Sequence, residues 1–456
     1  MLIMQRIQIH HRAEAALLLA LALVGPAGLI SAPLSAQSES IEQVPLTLAE
    51  AETEALRGNR TLEAAEARAQ AAAAGARGAE AFLWPGLQAN AGALRTDDPV
   101  GVFGTKLRQQ RFTELDFALP SLNQPDPVSD WSAGVGASWD VASPSRWFAR
   151  SAARAGAEAA EFGIERTEEA VRFQTRIYYF EALRAEGTRA AAQAAFEAAQ
   201  ATALRVARRV DEGMGTEADR LQAQAAEAAA QAQLEIADAG VADAYEALGA
   251  HLGWPSDRLP VPAEREPALA ERALDSGPTQ RADLQASALG IDAARAQARA
   301  TGAQRLPALQ AFGQVGTHAP GLSDDRGTNW TLGVQLSLPI FTGFGLSAAQ
   351  DAAEAQARAA DAEHAARVRQ ATVEVRSAQR GLEAAREAHT AVSTAQQAAA
   401  EAARLLRRRY EEGMTTLADL LQAEARAAEF DARLVEARTG VQMALAYLDF
   451  ALGDAR

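Results

Sequence analysis

The stretch RRYEEGMTTLADLLQAEA, from Arg408 to Ala425, constrains this chain more than any other because it occurs twice. Two hundred positions earlier, Arg208 to Ala225 reads RRVDEGMGTEADRLQAQA. Aligned without a gap, the copies share Arg-Arg, Glu-Gly-Met, Thr, Ala-Asp and Leu-Gln-Ala. Each Gly-Met pair lies between long helical patterns, so each copy reads as the tip of a helical hairpin. The chain is an internal duplication, with a first repeat over 37–255 and a second over 256–456 of the same layout.

The duplication extends to the punctuation. A helix is expected from Val44 to Leu56, with Thr47 as N-cap and Glu50 at the capping-box distance. Arg57 to Arg60 breaks it, and a second helix runs from Thr61 to about Phe82. Its counterpart covers about Pro278 to Gln304, after a short helix near Ala268 to Leu274. Both leading helices stop at a proline, Pro85 or Pro307, and an alternating segment follows each. Leu87, Ala89 and Ala91 alternate with Gln88, Asn90 and Gly92, while Leu309, Ala311 and Gly313 alternate with Gln310, Phe312 and Gln314. A second strand follows in each repeat, Trp131 to Trp139 and Trp330 to Leu338, with Trp, Gly-Val and Ser in register. Short, weakly alternating strands with aromatic residues near their ends fit tilted barrel strands; an ordinary soluble hairpin is the plainer reading of either pair alone.

The first inter-strand loop, Thr96 to Ser129, is long, and the second, Thr317 to Asn329, is shorter. The first is read as a loop without regular structure, with Phe103, Phe112, Phe117 and Leu119 to fold over something. Beyond the strands come two very long helical tracts, Trp147 to Val210 and Leu346 to Tyr410, each roughly 95 Å at the helical rise. The return legs, Thr216 to Leu252 and Thr415 to Leu452, reach only about 55 Å. Stacked end to end with the return legs, the leading helices supply the missing length. Such a chain is thin and has little core of its own, so packing against other copies in a coiled-coil-like wall should stabilise it.

Composition narrows the class. Ala-, Glu-, Arg- and Gln-rich tracts with only 5% aromatics suit long helices. Cysteine is absent, which removes disulfides, thiolate metal sites, Cys nucleophiles and a lipid-attachment cysteine. Residues 1–36 read as a signal peptide, with Arg6 and Arg12 before the apolar run Ala15 to Leu23. Cleavage fits Ala36–Gln37 or Ser38–Glu39, and a retained membrane anchor is the alternative. No later run approaches the roughly 18 to 20 apolar residues of a spanning helix, so a membrane span would have to be a β-barrel. A net charge of −15 opposes nucleic-acid binding, which needs a basic face.

These features together resemble the TolC family of outer-membrane efflux and secretion channels over essentially the whole mature chain. The carriers are the duplicated tip with Tyr410, Gly413 and Asp419, the closing Leu448-Asp-Phe-Ala-Leu-Gly453 and its partner Leu248-Gly-Ala-His-Leu-Gly253. The helix–Pro–strand junctions and Leu338-Pro-Ile-Phe341 complete them. The resemblance implies a mainly α-helical chain with a transmembrane β-barrel portion. Three copies would give four strands each to one twelve-stranded barrel in outer-membrane lipid, above a periplasmic tunnel of long helical hairpins. It further implies docking onto a periplasmic adaptor (membrane fusion) protein and an inner-membrane pump. The sequence departs from the family pattern at Asn59-Arg60, where Asn-Pro is common, and at Gln422, where a second tip acid can occur. No tail follows Arg456, so a belt at the tunnel's waist is expected from 255–277.

On the resemblance, Asp419 lines the periplasmic pore constriction as one-third of a cation-attracting ring, and Asp219 is its first-repeat counterpart. Read from the residues alone, both are first-turn acids favoured by the helix dipole. Tyr410 resembles a tip latch, and its first-repeat partner is Val210. Gly213, Met214, Gly413, Met414 and Thr415 are expected as the adaptor-contacting tips, with Gly permitting the turn and Met offering an adaptable apolar contact. Among the six His residues no metal-ligand spacing occurs, and there is no nucleophile elbow, P-loop or dinucleotide-binding glycine pattern. No catalytic residue, cofactor or metal is therefore expected. The function implied is a passive exit duct of a tripartite efflux system; the alternatives are a duct for type I protein secretion or a soluble periplasmic coiled-coil scaffold.

Overall fold

The computed structural model describes residues 42–264 and 281–453. The signal peptide and the short helix expected near 268–274 lie outside them. The chain opens with strand β1 (Glu42–Leu46), then helices α1 (Leu48–Gly58) and α2 (Arg60–Glu80). A 3-10 turn leads into β2 (Gly86–Thr96), followed by α3 (Pro99–Arg108), α4 (Leu119–Asn123) and β3 (Val128–Ala142). The long hairpin of α5 (Pro144–Asp211) and α6 (Glu217–Leu252) comes next. After β4 (Arg258–Pro262) the layout continues with α7 (Ala282–Gly302), β5 (Ala308–Ala319), β6 (Gly327–Ser337), α8 (Gly345–Glu411) and α9 (Leu417–Leu452).

Local chemistry sets the breaks. Thr47 and Glu50 form the capping box: the Glu50 backbone N–H donates to Thr47 Oγ1 at 3.3 Å, and the Thr47 N–H donates to Glu50 Oε2 at 2.9 Å. The helix expected from Val44 therefore starts at Leu48. Val44 itself belongs to β1, which pairs in parallel with β4 through Val44↔Pro260. Asn59 Oδ1 then accepts from the N–H groups of Thr61 and Leu62, so one residue ends α1 and caps α2 without a proline.

The long helix α5 is the hub, packing against α1, α2, α6, α7 and α9, while α8 packs against α7 and α9. Along the hairpins the buried positions are largely alanines, as at Ala192, Ala203, Ala223 and Ala237. At their root the expectation of little private core fails. Tyr179, Phe180, Leu183, Tyr245 and Leu248 form one cluster with α1, and the Tyr179 hydroxyl donates to Leu46 O at 3.0 Å, fixing the β1–β4 pair onto α5. Val375, Leu382, Leu445 and Leu448 form a second cluster between α8 and α9.

Three guanidiniums converge beside these clusters. Arg176, buried on α5, donates to Glu52 Oε1 at 2.6 Å and to Asp449 Oδ2 at 3.0 Å. Arg166 donates to Phe450 O at 3.0 Å and lies 3.8 Å over that ring's centroid. Arg281 donates to Glu374 at 2.7 Å and to Ala451 O at 3.3 Å. Cations at the last carbonyls of α9 also suit its dipole. The closing Leu448-to-Gly453 motif is thus the knot that ties both repeats together.

Candidate functional site

The four long strands form one antiparallel sheet in the order β2-β3-β5-β6. Register places Ala89 opposite Val135, Val135 opposite Val315, and Val315 opposite Trp330. Because successive side chains alternate, one face carries Leu87, Trp131, Val135, Trp139, Val315, Leu332 and Val334. The other carries Gln88, Asn90, Gln310, Gln314, Thr331 and Gln335. The large apolar groups are exposed, with Leu332 at 76%. Within the described chain only the turn after β5, with Leu322 and Arg326, lies over one end of that face, beside Trp131 and Ala319. From Trp131 to Trp139 the sheet spans about 27 Å along the strand, or roughly 20 Å across a bilayer at the tilt of a barrel. Trp84, Trp139 and Trp147 stand at its helix-side end. Among the described residues no helix is long and apolar enough to cross a membrane.

The polar face has one aromatic, Phe312, whose ring lies across Gly333: a Cβ there would sit 2.5 Å from the ring edge. The segment between β2 and β3, expected to lack regular structure, carries α3, a 3-10 turn and α4. Pro at the start of α3 and the Asp98 cap, which accepts from Gly101 N–H at 2.7 Å, give the helix its start. Phe103 meets Phe112 at 4.7 Å, and Phe112 meets Phe117 at 5.1 Å, both edge to face. Lys106 donates to Asp116 at 2.7 Å. That hydrogen bond, with those from Thr113, holds the Asp116 carboxyl down at about 2. A folded value below the ordinary one near 3.9 means that Asp116 supports the loop fully above that ordinary value and loses its effect as pH falls toward about 2. Hydrogen exchange of the α3–α4 amides should be flat from pH 7 to 5, after correction for intrinsic rates, and lose protection between about pH 4 and 2. Loss already at pH 6 would assign the pinning to another group.

At the opposite end, the two hairpin tips turn alike. Gly213 N–H donates to Val210 O at 2.9 Å and Met214 N–H to Arg209 O at 2.8 Å; Gly413 and Met414 repeat this with Tyr410 O and Arg409 O at 3.0 and 2.8 Å. These are Schellman closures, which require the left-handed backbone seen at Gly213 (φ +75°) and Gly413 (φ +74°). Met214 and Met414 project into solvent. Asp219 and Asp419 sit three residues into α6 and α9 and close capping boxes with Thr216 and Thr416. Asp419 accepts from the Thr416 hydroxyl at 2.6 Å and the Thr415 hydroxyl at 3.1 Å; these bonds, then the Thr416 N–H, keep its carboxyl below the usual range. For Asp219 the Thr216 backbone N–H is the largest cause of the same shift. Asp419 is exposed and Asp219 half-buried, and each is held in place by its own helix start.

Tyr410, like Val210 and Leu421, packs against the buried Ala203, Val206, Ala223 and Leu417 beneath the tip, and burial pushes its phenol up. Its partner is Arg209, whose guanidinium lies 4.9 Å from the ring centroid and donates to Tyr410 O at 2.7 Å. A cleft of about 480 Å³ opens between the tips, lined by Arg205, Arg208, Arg209, Met214, Tyr410 and Glu412. Sequence reasoning missed one node above it. Glu424 on α9 accepts from Thr202 of α5 at 3.1 Å and from Arg407 of α8 at 2.8 Å, joining three helices. The only sequence signal was an acid on an otherwise Ala-lined face.

An amphipathic strand ribbon with an uncovered apolar face, carried on paired helical hairpins about 100 Å long, defines a subunit of an outer-membrane channel. The chain belongs to the outer membrane efflux protein family, whose family model matches residues 53–254 and 275–454. No curated protein matches it. Among solved structures, VceC of Vibrio cholerae is similar at 24% identity and a TM-score of 0.76, covering 89% of this chain and 96% of that one. A Pseudomonas aeruginosa membrane protein matches at 23% identity and a TM-score of 0.78, over 91% and 92%. The open-state MtrE channel of Neisseria gonorrhoeae gives 23%, 0.75, and 89% and 88%. These likenesses establish the fold, mainly helical with a four-strand portion, and the family is one of channels rather than enzymes.

Proposed function

We propose that three copies of this chain close into one twelve-stranded barrel and act as the passive exit duct of a tripartite efflux system, fed by a periplasmic adaptor and an inner-membrane pump. The carrying observation is the ribbon. Its apolar face needs lipid, and both outer strands, β2 and β6, have one edge unpaired within the described chain. Hydrocarbon tolerates no open sheet edge. The two edge strands run in opposite directions, so joining β6 of one copy to β2 of the next keeps every neighbour antiparallel. Imaging of the detergent-extracted protein should show a threefold rod well over 100 Å long; a monodisperse soluble monomer would end this reading.

In this duct the tips are the periplasmic end. Asp419 faces solvent at the start of α9, and three copies around the axis make a ring that attracts cations and resists anions. Asp219 lies behind it, and Tyr410 with Arg209 latches one hairpin to the other. The exposed Gly213-Met214 and Gly413-Met414-Thr415 turns contact the adaptor, whose binding releases the latch. Asp419→Asn keeps an oxygen to accept from Thr416, so the helix start survives while the charge is lost. Cation over anion permeability in planar bilayers should fall by at least about twofold. An unchanged ratio returns Asp419 to capping alone.

A further inference from the structure

The segment between β2 and β3 does not extend outward from the sheet; it folds back over the polar face. Gln109, only 3% exposed, donates from Nε2 to Ser129 O at 2.8 Å and to Asp130 Oδ1 at 3.0 Å. Asp130 Oδ2 is 2.7 Å from His318 Nδ1 on the neighbouring strand. Alternation puts Asp130 and His318 on the polar face, with Ser132 and Gln314. A second observation agrees independently. Gly327 stands on the same face of β6, and a Cβ there would lie 2.1 Å from Arg108 O. The last turn of α3 therefore rests on the inner wall at the end of the sheet remote from the helices.

Helical spacing then fixes what α3 shows to the lumen. Val102, Thr105 and Gln109 are buried and share one face. Val100, Gly104 and Leu107 occupy the opposite face; Val100 and Leu107 are exposed, and no atom lies within 4 Å of a Cβ built at Gly104. Leu115, 82% exposed, and Leu119 are further apolar groups left open in the same segment. Apolar groups left open in a water-filled mouth should find a partner. We propose that this surface meets its own symmetry copies: the three 97–127 segments touch on the channel axis and close the outer mouth with an apolar contact through Val100, Gly104 and Leu107.

The dimensions allow it. A barrel of twelve strands about 4.8 Å apart and tilted about 40° has a backbone diameter of roughly 24 Å. Three touching helices, each about 10 Å across, fill a circle of roughly 22 Å. The wall beneath them carries Gly134 and Gly316 as well as amides, which leaves that room. The pin of Gln109, Asp130 and His318 fixes each helix at its wall end, and the aromatic chain of Phe103, Phe112 and Phe117 stiffens the rest. This surface rests on the threefold duct proposed above.

The absence of cysteine gives a clean test. Leu107→Cys is made in the full chain and extracted from membranes as the intact assembly. Mild oxidation should yield a covalent dimer, with one chain of each trimer left over, because a disulfide forms only at Cα separations of about 4.4–6.8 Å. Native electrophoresis separates the two ideas. A trimer whose introduced thiols stay unlinked and react freely with maleimide overturns the apolar contact alone; absence of a trimer overturns the duct as well. A second measurement uses Gln314→Cys on the inner wall. Bulky maleimide added outside whole cells should label it at least fivefold faster once Gln109→Ala removes the pin. Equal rates overturn the closure.

Discussion

Leu332→Arg should abolish recovery of the protein from the outer membrane, whereas Thr331→Arg, one residue away, should leave recovery close to normal. Leu332 stands in the middle of β6 on the apolar face, opposite Gly313. A cation at such a depth costs about 2–4 kcal/mol in a membrane barrel, and the threefold assembly proposed above would carry it three times. Thr331 points to the polar face, where water solvates an added guanidinium. The readout is the amount of heat-modifiable trimer in the outer-membrane fraction. If both variants assemble equally, the sheet does not divide lipid from lumen as the register requires.

The second large effect is expected at the root of the hairpins. Arg176→Ala leaves Glu52 and Asp449 without the guanidinium that now bridges them, at a site where all three side chains are largely excluded from water. Breaking a buried pair by removing one partner costs about 3–5 kcal/mol. Denaturant midpoints of the purified assembly should drop accordingly, and so should protease resistance near α1 and the end of α9. Arg404→Ala removes a solvent-screened surface partner of Glu401 and should leave the midpoint almost unchanged. A loss no larger for Arg176 than for Arg404 would show that the knot is not what holds the repeats together.

Much of this architecture could be read from the residues. Periodicity over sixty positions and proline at each helix–strand junction place the long hairpins and the four strands to within a few residues. Both tip acids are also legible as first-turn residues of their helices, whereas the capping boxes they close with Thr216 and Thr416 appear only in the structure. What could not be read is long-range. Val44 to Leu46 looks like the first turn of a helix, and only β4, two hundred residues away, makes it a strand. The Arg176 knot joins residues from three distant segments, and no spacing announces it. Likewise Gln109 and Gly327 look like ordinary loop residues until the register brings them together. The tips are half legible: the position of Asp419 follows from its own helix start, but the Arg209–Tyr410 contact and Glu424 depend on how the two hairpins lie side by side.

The two open edges of the ribbon also bear on how such a chain comes to be made. A single copy entering hydrocarbon would carry two rows of unpaired amides and carbonyls, each group costing several kcal/mol. No pathway with a lone inserted subunit can therefore be populated, and insertion has to wait for encounter. Biogenesis should accordingly be steep in subunit concentration. Halving expression should lower the yield of finished channels by much more than half, with the surplus left to periplasmic chaperones and proteases.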